Sequence, residues 1–263
     1  MTSADPPLLH TRTAAGVATL TLDSPANRNA LSRRLMTQLM DALAAAAADE
    51  AVRVVVLSHT GPVFCSGADL KETAEAYDDP ARLPAAMLGD LLAAVWECPK
   101  PVVARVGGSA RAGGLGLIAA ADLAVCTQEA TFAFSEVRIG VVPAIISAPV
   151  LRRLTPRPAA ELLLTGEVFD GRRAAEIGLV TAAVPAAGLD AAVAARTRAL
   201  VHGGPIALAA TKALLHRTAR PTLREELAEL SALSLEYFGS AEGREGVAAF
   251  REKRPARWVP TAE

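Results

Sequence analysis

The first sixty residues alternate between the apolar spacing of strands and that of helices. Residues 16–22, GVATLTL, predict a strand, and a helix is predicted after Ser32, a residue type that caps helices. The apolar residues of this helix recur at helical spacing and are Leu35, Met36, Leu39, Met40 and Leu43. Residues 52–57, VRVVVL, have too little polarity for an exposed face, which predicts a strand buried on both sides. The order strand, helix, strand favours an α/β fold.

The rest of the chain is predicted to pass from mixed strands and helices into helices alone. Loops are expected over the first ten residues and over 61–72, and a mobile acidic segment follows the second loop. Up to residue 188 we expect helices at 85–97, 113–121, 144–154 and 158–164, a strand at 102–106, two apolar strands after 121, and an edge strand before 185. Beyond it we expect helices at 189–201, 205–218, 223–238 and 243–254. The apolar faces of these last helices need a partner, which the core or a neighbouring subunit could supply.

Composition and charge narrow the class of protein. The chain has 263 residues, 51% of them hydrophobic, which is enough to bury a sizeable core. Lys and Arg number 27 against 28 Asp and Glu, so no charge excess indicates binding to nucleic acid or to a membrane surface. Cys65, Cys98 and Cys126 form no CxxC pair and no metal-ligand spacing, which is typical of reduced thiols. Without a signal peptide or a long apolar segment, the protein is expected to be cytoplasmic.

The stretch from Val102 to Pro143 has the strongest candidate chemistry. A helix entered through Gly113 and Gly114 has unpaired backbone N–H groups at its start, where an anion or a developing oxyanion could sit. Glu136 follows the apolar segment TFAFS, and a carboxylate in dry surroundings suits general acid and base catalysis. The plainer alternatives are that the glycines mark tight packing and that the glutamate is solvated or paired with Arg111 or Arg138.

A second glycine turn follows the buried strand, in the loop GPVFCSGADLKE. Gly67 lets the backbone turn sharply, so the N–H of Ala68 could project into a cleft. Turn residues after strands are common, and this loop alone does not identify a site.

Two better-known motifs are excluded by their context. Gly114, Gly116 and Ala119 match GxGxxA, and Glu136 lies 20 residues beyond Gly116, as in a dinucleotide-binding fingerprint. Seven residues separate the preceding strand from Gly114, however, and the flanking βαβ unit is missing. A serine hydrolase is excluded because the sequence has no GxSxG.

Six motifs in register resemble the crotonase superfamily, the enoyl-CoA hydratase/isomerase family, over nearly the whole chain. They are ANRNALS near residue 30, FCSGADLKE at 64–72, KPVVARVGGSARAGGLGLIAAAD at 100–122, FAFSEVRIGVVP at 132–143, TGEVFDGRRAAEIGLV at 165–180 and FREKR at 250–254. The resemblance implies an α/β fold of repeated ββα units, residues 1–188, followed by a helical trimerisation region, residues 189–263. It further implies an acyl-CoA thioester substrate, no cofactor beyond that CoA, and a homotrimer or a dimer of trimers.

The resemblance also assigns roles to individual positions. The backbone N–H groups of Ala68 and Gly113 correspond to the family's oxyanion hole, which stabilises an enolate, and Glu136 corresponds to a catalytic acid. The positions that match the segments contacting CoA are Arg28, Ala30, Ala68, Asp69, Leu70, Phe250 and Lys253. Phe250 and Lys253 match a pair that often reaches CoA across a subunit boundary, although a lysine here could equally be a solvated helix residue.

One departure from the family pattern bears on the chemistry. Hydratases of this family hold a water between two glutamates; Glu136 matches the second, but the first falls on Gly116. Three functions therefore stay open. The first is a hydratase, to which the motifs are most similar and in which an acid in residues 72–79 would help Glu136. The others are an enoyl-CoA isomerase, which needs only one acid, and a non-catalytic acyl-CoA binder. The acyl preference is expected to depend on residues 77–96 and 141–150, where Val141, Val142, Ile145 and Ile146 suggest an apolar lining.

Overall fold

A computed structural model describes residues 6–76, 78–217 and 222–260, and the described strands form two sheets. The larger sheet has the order β1-β2-β3-β5-β7-β10, and the smaller has the order β4-β6-β8-β9. The strands are β1 (Leu9–Ala14), β2 (Val17–Leu22), β3 (Val54–His59), β4 (Val63–Cys65), β5 (Val102–Val106), β6 (Ser109–Arg111), β7 (Leu123–Thr127), β8 (Thr131–Ala133), β9 (Phe169–Asp170) and β10 (Ala182–Val184). Every pair in the larger sheet is parallel except β1 with β2.

Helices follow most of the strands and then dominate the C-terminal third of the chain. They are α1 (Arg33–Ala48), α2 (Leu70–Glu75), α3 (Ala85–Glu97), α4 (Gly113–Ala120), α5 (Ala144–Val150), α6 (Pro156–Thr165), α7 (Gly171–Glu176), α8 (Leu189–Val201), α9 (Pro205–His216), α10 (Leu223–Gly239) and α11 (Ala241–Glu252). Ser32 caps α1, since its side chain accepts a hydrogen bond of 3.2 Å from the N–H of Leu35.

The larger sheet is covered on both faces. All six residues of β3 are buried, and they point alternately to the two sides. Val55 and Leu57 belong to the main core with α1 and α3, whereas Val54 and Val56 pack under α8. The predicted α/β class is therefore confirmed, and the lack of polar alternation in β3 follows from burial on both faces.

The smaller sheet brings three loops together. β4, β6 and β8 are parallel, with Ala110 of β6 paired to Cys65 of β4 and to Phe132 of β8. Because the carboxyl ends of parallel strands meet at one edge of a sheet, the segments that follow these three strands converge there. These segments contain Ala68, Gly113 and Glu136, respectively.

The structure corrects several predictions. The N-terminal loop contains β1, whose residues after Leu9 are exposed, so it lacks the apolar pattern by which strands are recognised. The loop 61–72 contains β4 and the start of α2, and β6 lies in the glycine-rich turn, which explains the seven residues before Gly114. Glu136 lies not in a strand but in a short 3-10 helix, Ser135–Ile139. Tyr77 and Thr218, which end the predicted segments 77–96 and 205–218, lie outside the described ranges.

Candidate active site

The N–H of Ala68 points away from the chain beside it. Leu31 forms an isolated parallel bridge with Ala68, in which the N–H of Leu31 donates to Gly67 at 2.8 Å and its carbonyl accepts from Asp69 at 3.4 Å. Leu31 is thus hydrogen-bonded to both chain neighbours of Ala68, and the N–H of Ala68 points away from Leu31. Gly67 permits this turn with a φ of +92°, a value that favours glycine.

The N–H of Gly113 lies at the start of α4, close to the Gly67 turn. A Cβ atom built on Gly67 would lie 3.4 Å from the nitrogen of Gly113, so the two backbones are in near contact. Ala112, which orients the Gly113 peptide, has a φ of +47° and a ψ of −119°, a strained conformation for alanine. Within the described chain neither the Ala68 nor the Gly113 N–H donates a hydrogen bond. The pair can therefore serve an external acceptor.

Glu136 is a buried carboxylate with a free oxygen. Its residue is 9% exposed, and its Oε2 atom is buried with no hydrogen-bond partner among the described residues. Removal from water raises the pKa of Glu136 above the ordinary value of 4.5, with a smaller opposing effect from its own backbone N–H. A buried carboxylate whose pKa is raised in this way is suited to proton transfer as a general acid and base.

The arginine alternatives for Glu136 are not supported. Arg111 instead binds back to its own sheet, donating to the carbonyl of Ala110 at 2.8 Å and to the hydroxyl of Thr131 at 3.0 Å. The side chain of Arg138 packs against Gly166. Glu136 takes part in no ion pair with a described residue, so no cation fixes it as a structural carboxylate.

Position 116, where the first family glutamate would lie, is closed by apolar side chains. A Cβ atom on Gly116 would lie 2.8 Å from Cγ2 of Ile146 and 3.1 Å from Cδ1 of Leu92. Beyond these two residues is a cavity of about 500 Å³ between α3, α5 and α9. Its lining includes Leu92, Ala93, Trp96, Ile145, Pro149, Arg152 and His216. Of the four residues predicted to form an apolar lining, Ile145 lines the cavity and Ile146 is buried beside Gly116. Val141 and Val142 are exposed.

Two of the four acids in residues 72–79, the segment expected to help Glu136, bind backbone groups. The Oε2 atom of Glu72 accepts a hydrogen bond of 2.8 Å from the N–H of Arg33, at the start of α1. The Oδ1 atom of Asp79 accepts one of 3.2 Å from the N–H of Ala81. Both carboxylates satisfy the backbone of neighbouring turns. Assistance from another acid of residues 72–79 stays a prediction.

Five of the residues predicted to bind CoA lie in two adjoining loops. Arg28, at a φ of +61°, has a carbonyl that accepts from Ser66 at 3.1 Å, and Ala30 is buried beside Leu31. Asp69 caps α2 through the N–H groups of Lys71 and Glu72. Ala68 lies beside Asp69 in the second of these loops, and Leu70 is exposed at the start of α2.

Phe250 and Lys253, the two other predicted residues, lie at the end of α11. Phe250 is 86% exposed, and Lys253 ends the helix with a φ of +54°. No ion pair joins Lys253 to another described residue. Their contact with CoA stays a prediction.

Sequence reasoning overlooked Asn29. This residue is fully buried, and its side chain accepts from the N–H of Ser24 at 2.7 Å and donates to the carbonyls of Thr60 and Val63 at 3.0 and 2.8 Å. It ties the first loop to β4 and to the end of β3. Its residue type was the available clue, because asparagine tolerates a positive φ well. Arg28 and Asn29 both adopt a positive φ in this turn.

The described residues contain neither a cluster of metal ligands nor a membrane-spanning helix. No group of three His, Cys, Asp or Glu side chains there could hold a metal ion. Among the described helices, none has the length and apolarity needed to span a bilayer.

Comparisons with known proteins agree over almost the full length. A family profile described as enoyl-CoA hydratase/isomerase matches residues 12–260. Enoyl-CoA hydratase domain-containing protein 2 from Bos taurus is 33% identical over 250 residues, 93% of this chain and 84% of that protein. Two solved structures titled as enoyl-CoA hydratases are similar over 96% of this chain and 99% of theirs: one from Mycobacterium avium, with 45% identity and a TM-score of 0.74, and one from Mycobacterium smegmatis, with 36% and 0.86.

Proposed function

The chain belongs to the enoyl-CoA hydratase/isomerase family, and from this premise we propose that it is an enoyl-CoA hydratase in which Glu136 is the single catalytic acid and base. Members of this family act on acyl-CoA thioesters. The observation that supports the proposal best is that two amides and one buried carboxylate oxygen, all without a hydrogen-bond partner among the described residues, lie in the segments that follow β4, β6 and β8.

The amides of Ala68 and Gly113 bind the thioester oxygen. As the carbonyl becomes an enolate, negative charge grows on that oxygen, and the two N–H groups stabilise it more strongly than they stabilise the ground state. The start of α4 adds its partial positive charge at Gly113. Loss of one such donor typically costs about 3 to 4 kcal/mol of transition-state stabilisation.

Hydration then needs one proton to move twice. Ionised Glu136 takes a proton from a water molecule while the hydroxide adds to C3, and the electron pair of the double bond moves onto the thioester to form the enolate. The protonated Glu136 then returns that proton to C2, which regenerates the carboxylate and the carbonyl. No second carboxylate is required, although each turnover places both duties on one side chain.

Isomerisation of a 3-enoyl-CoA is the second candidate. The apolar closure around Gly116 favours it, because Ile146 and Leu92 occupy the volume in which a second carboxylate would hold water. In this reaction Glu136 removes a proton from C2, the amides stabilise the dienolate, and the same proton returns at C4.

Two parallel assays separate these functions. With crotonyl-CoA we expect loss of the enoyl absorbance, whereas a 3-enoyl-CoA that gains conjugated absorbance would favour the isomerase. We expect Glu136→Gln to lower kcat by roughly 10² to 10⁴, while the Kd for a saturated acyl-CoA stays within about threefold, since the proton transfer is lost and not the binding.

Other outcomes would contradict the proposal. If the wild-type protein binds acyl-CoA but turns over neither substrate, it is a binding member of the family. If Glu136→Gln weakens binding strongly with turnover intact, the carboxylate is structural.

A further inference from the structure

We propose that Leu92 and Ile146 form a partition that limits the substrate to short acyl groups, and that the cavity behind this partition is closed to the acyl chain in the wild-type protein. The inference rests on the proposed function, because it takes the thioester to be held at Ala68 and Gly113. It concerns the length of the acyl group and not the reaction performed on it.

The direction of the acyl group follows from the packing of α4. This helix lies between β4 and β6 on one side and α3 and α5 on the other. On the strand side there is no room, since a Cβ atom on Gly114 would lie 2.6 Å from the backbone oxygen of Cys65. A chain leaving the Gly113 amide must therefore pass toward α3 and α5.

The helix side is lined by side chains that reach across α4. A Cβ on Gly113 would lie 3.1 Å from Leu31 and 3.5 Å from Leu88, and one on Gly116 would meet Leu92 and Ile146. Leu88 and Leu92 are one turn apart on α3, and Gly113 and Gly116 are nearly one turn apart on α4, so the two stripes run side by side. The acyl group meets Leu92 and Ile146 about one helical turn beyond the oxyanion site.

The partition is one side chain thick. Leu92 contacts the Gly116 face and also lines the 500 Å³ cavity, while Ile145, the neighbour of Ile146, lines the same cavity. Both Leu92 and Ile146 are buried, at 5% and 2% exposure. The close contacts with Gly116 are made by Cδ1 of Leu92 and by Cγ2 and Cβ of Ile146, and not by backbone. Truncating Leu92 or Ile146 to alanine therefore opens the partition without displacing α4.

The cavity suits the end of an acyl chain. Leu92, Trp96, Ile145 and Pro149 supply apolar surface, and the volume lies within the range of small-molecule pockets. Each methylene that enters such a space raises affinity by about fourfold. Chain-length preference therefore reports whether the partition is open.

The test is a series of 2-enoyl-CoA substrates of four to ten carbons, with kcat/KM measured for the wild type, Leu92→Ala and Ile146→Ala. For the wild type we expect kcat/KM to fall steeply beyond the short substrates. In both variants we expect the ratio of the eight-carbon to the four-carbon value to rise, by roughly tenfold or more in Leu92→Ala. Leu91→Ala is the matched control, because Leu91 is a fully buried leucine of α3 that does not line the cavity, and its ratio should not change.

A binding series keeps the inference testable if a variant is slow or unstable. Calorimetric Kd values for saturated acyl-CoA of the same lengths should show the same change in Leu92→Ala and Ile146→Ala. Equal use of short and long chains by the wild type, or an unchanged ratio in both folded variants, would overturn the partition while leaving the proposed function intact. Absence of turnover and binding for every chain length would overturn the proposed function as well.

Discussion

At the scale of single residues, Glu136 combines its proposed catalytic role with a cost to stability. Burial raises its pKa, so the folded chain binds its proton more tightly than the unfolded chain does. The sign follows from linkage: stability is unaffected by this group below its ordinary value of 4.5, falls as the pH rises through the raised value, and stays lower above it. Above the raised pKa, the ionised carboxylate therefore lowers the stability of the fold.

This sign predicts a stabilised but inactive variant. We expect Glu136→Gln to have a higher Tm than the wild type at pH of about 7.5 and an equal Tm near about 4.5, since glutamine has no charge to desolvate. Thermal unfolding of both proteins over this range measures the difference. A glutamine variant that is less stable at neutral pH would mean that the carboxylate has a partner in solution.

The pH dependence of turnover follows from the same burial. Because Glu136 must be ionised to accept a proton, we expect the acidic limb of the kcat/KM profile to lie above the ordinary glutamate value of 4.5. Rates of the wild type from about pH 4.5 to 9 locate this limb. A limb at or below the ordinary value would indicate that the free enzyme keeps Glu136 well solvated.

The sequence indicated the candidate site residues, but it did not indicate their surroundings in the fold. Glu136, Ala68 and Gly113 were found from two glycine turns, one isolated acid and a family resemblance, and the structure brings their segments to one sheet edge. The free Oε2 atom, the strained backbone of Ala112 and the two side chains that close Gly116 were not predictable. Each depends on contacts between segments that are distant in the chain.

At the scale of elements, α4 is anchored at the end opposite to its oxyanion amide. Arg153, which follows α5, donates to the carbonyls of Ala119 and Ala121, each at 2.9 Å. These carbonyls belong to the end of the helix, where the backbone has no further partners of its own. The guanidinium also lies 5.0 Å from the ring of Trp96 on α3, so Arg153 joins α3, α4 and α5.

Loss of this anchor should loosen the helix that presents Gly113. We expect Arg153→Ala to lower the free energy of unfolding by about 1.5 to 3 kcal/mol and to reduce kcat several-fold, and Arg153→Lys to restore part of both. Chemical denaturation and steady-state kinetics measure the two effects. Arg152→Ala is the matched control, because Arg152 donates within its own turn, to the carbonyl of Ala148. Equal losses in both variants would contradict a specific role for Arg153.

Element prediction failed where polarity or length hid a strand. The helices α1, α3 and α8 have clear apolar faces or caps and lie where they were predicted. β1 is mostly exposed and therefore lacks an apolar pattern. β4 and β6 have three residues each, which is too short to show one. Short strands of this kind are defined by their partners in the sheet.

At the scale of the whole molecule, the C-terminal helices leave apolar surface uncovered. No residue of α10 is buried, and its Leu235 and Phe238 are 75% and 68% exposed. The predicted boundary at residue 188, the cytoplasmic location and the trimeric assembly all stay predictions. A contiguous apolar surface on a helix is typical of a subunit interface.

We therefore predict assembly through α10. Light scattering should give three or six times the chain mass of 27.2 kDa, and Leu235→Glu should lower it, since a charge would then be buried at the interface. Arg198→Glu, a charge change on the exposed face of α8, should leave the mass unchanged. If Phe250 and Lys253 reach CoA across a subunit boundary, dissociation should also weaken acyl-CoA binding. A wild-type monomer would contradict the assembly.

The parallel order of β4, β6 and β8 divides the work of the site between independent loops. In the proposed function, the amides that bind the thioester follow β4 and β6, and the carboxylate that moves the proton follows β8. A change in the third loop can alter which bond is made without disturbing how the carbonyl is activated. Single substitutions on one ancestral scaffold can therefore produce different reactions. The enolate intermediate stays the same, and only the step that consumes it changes.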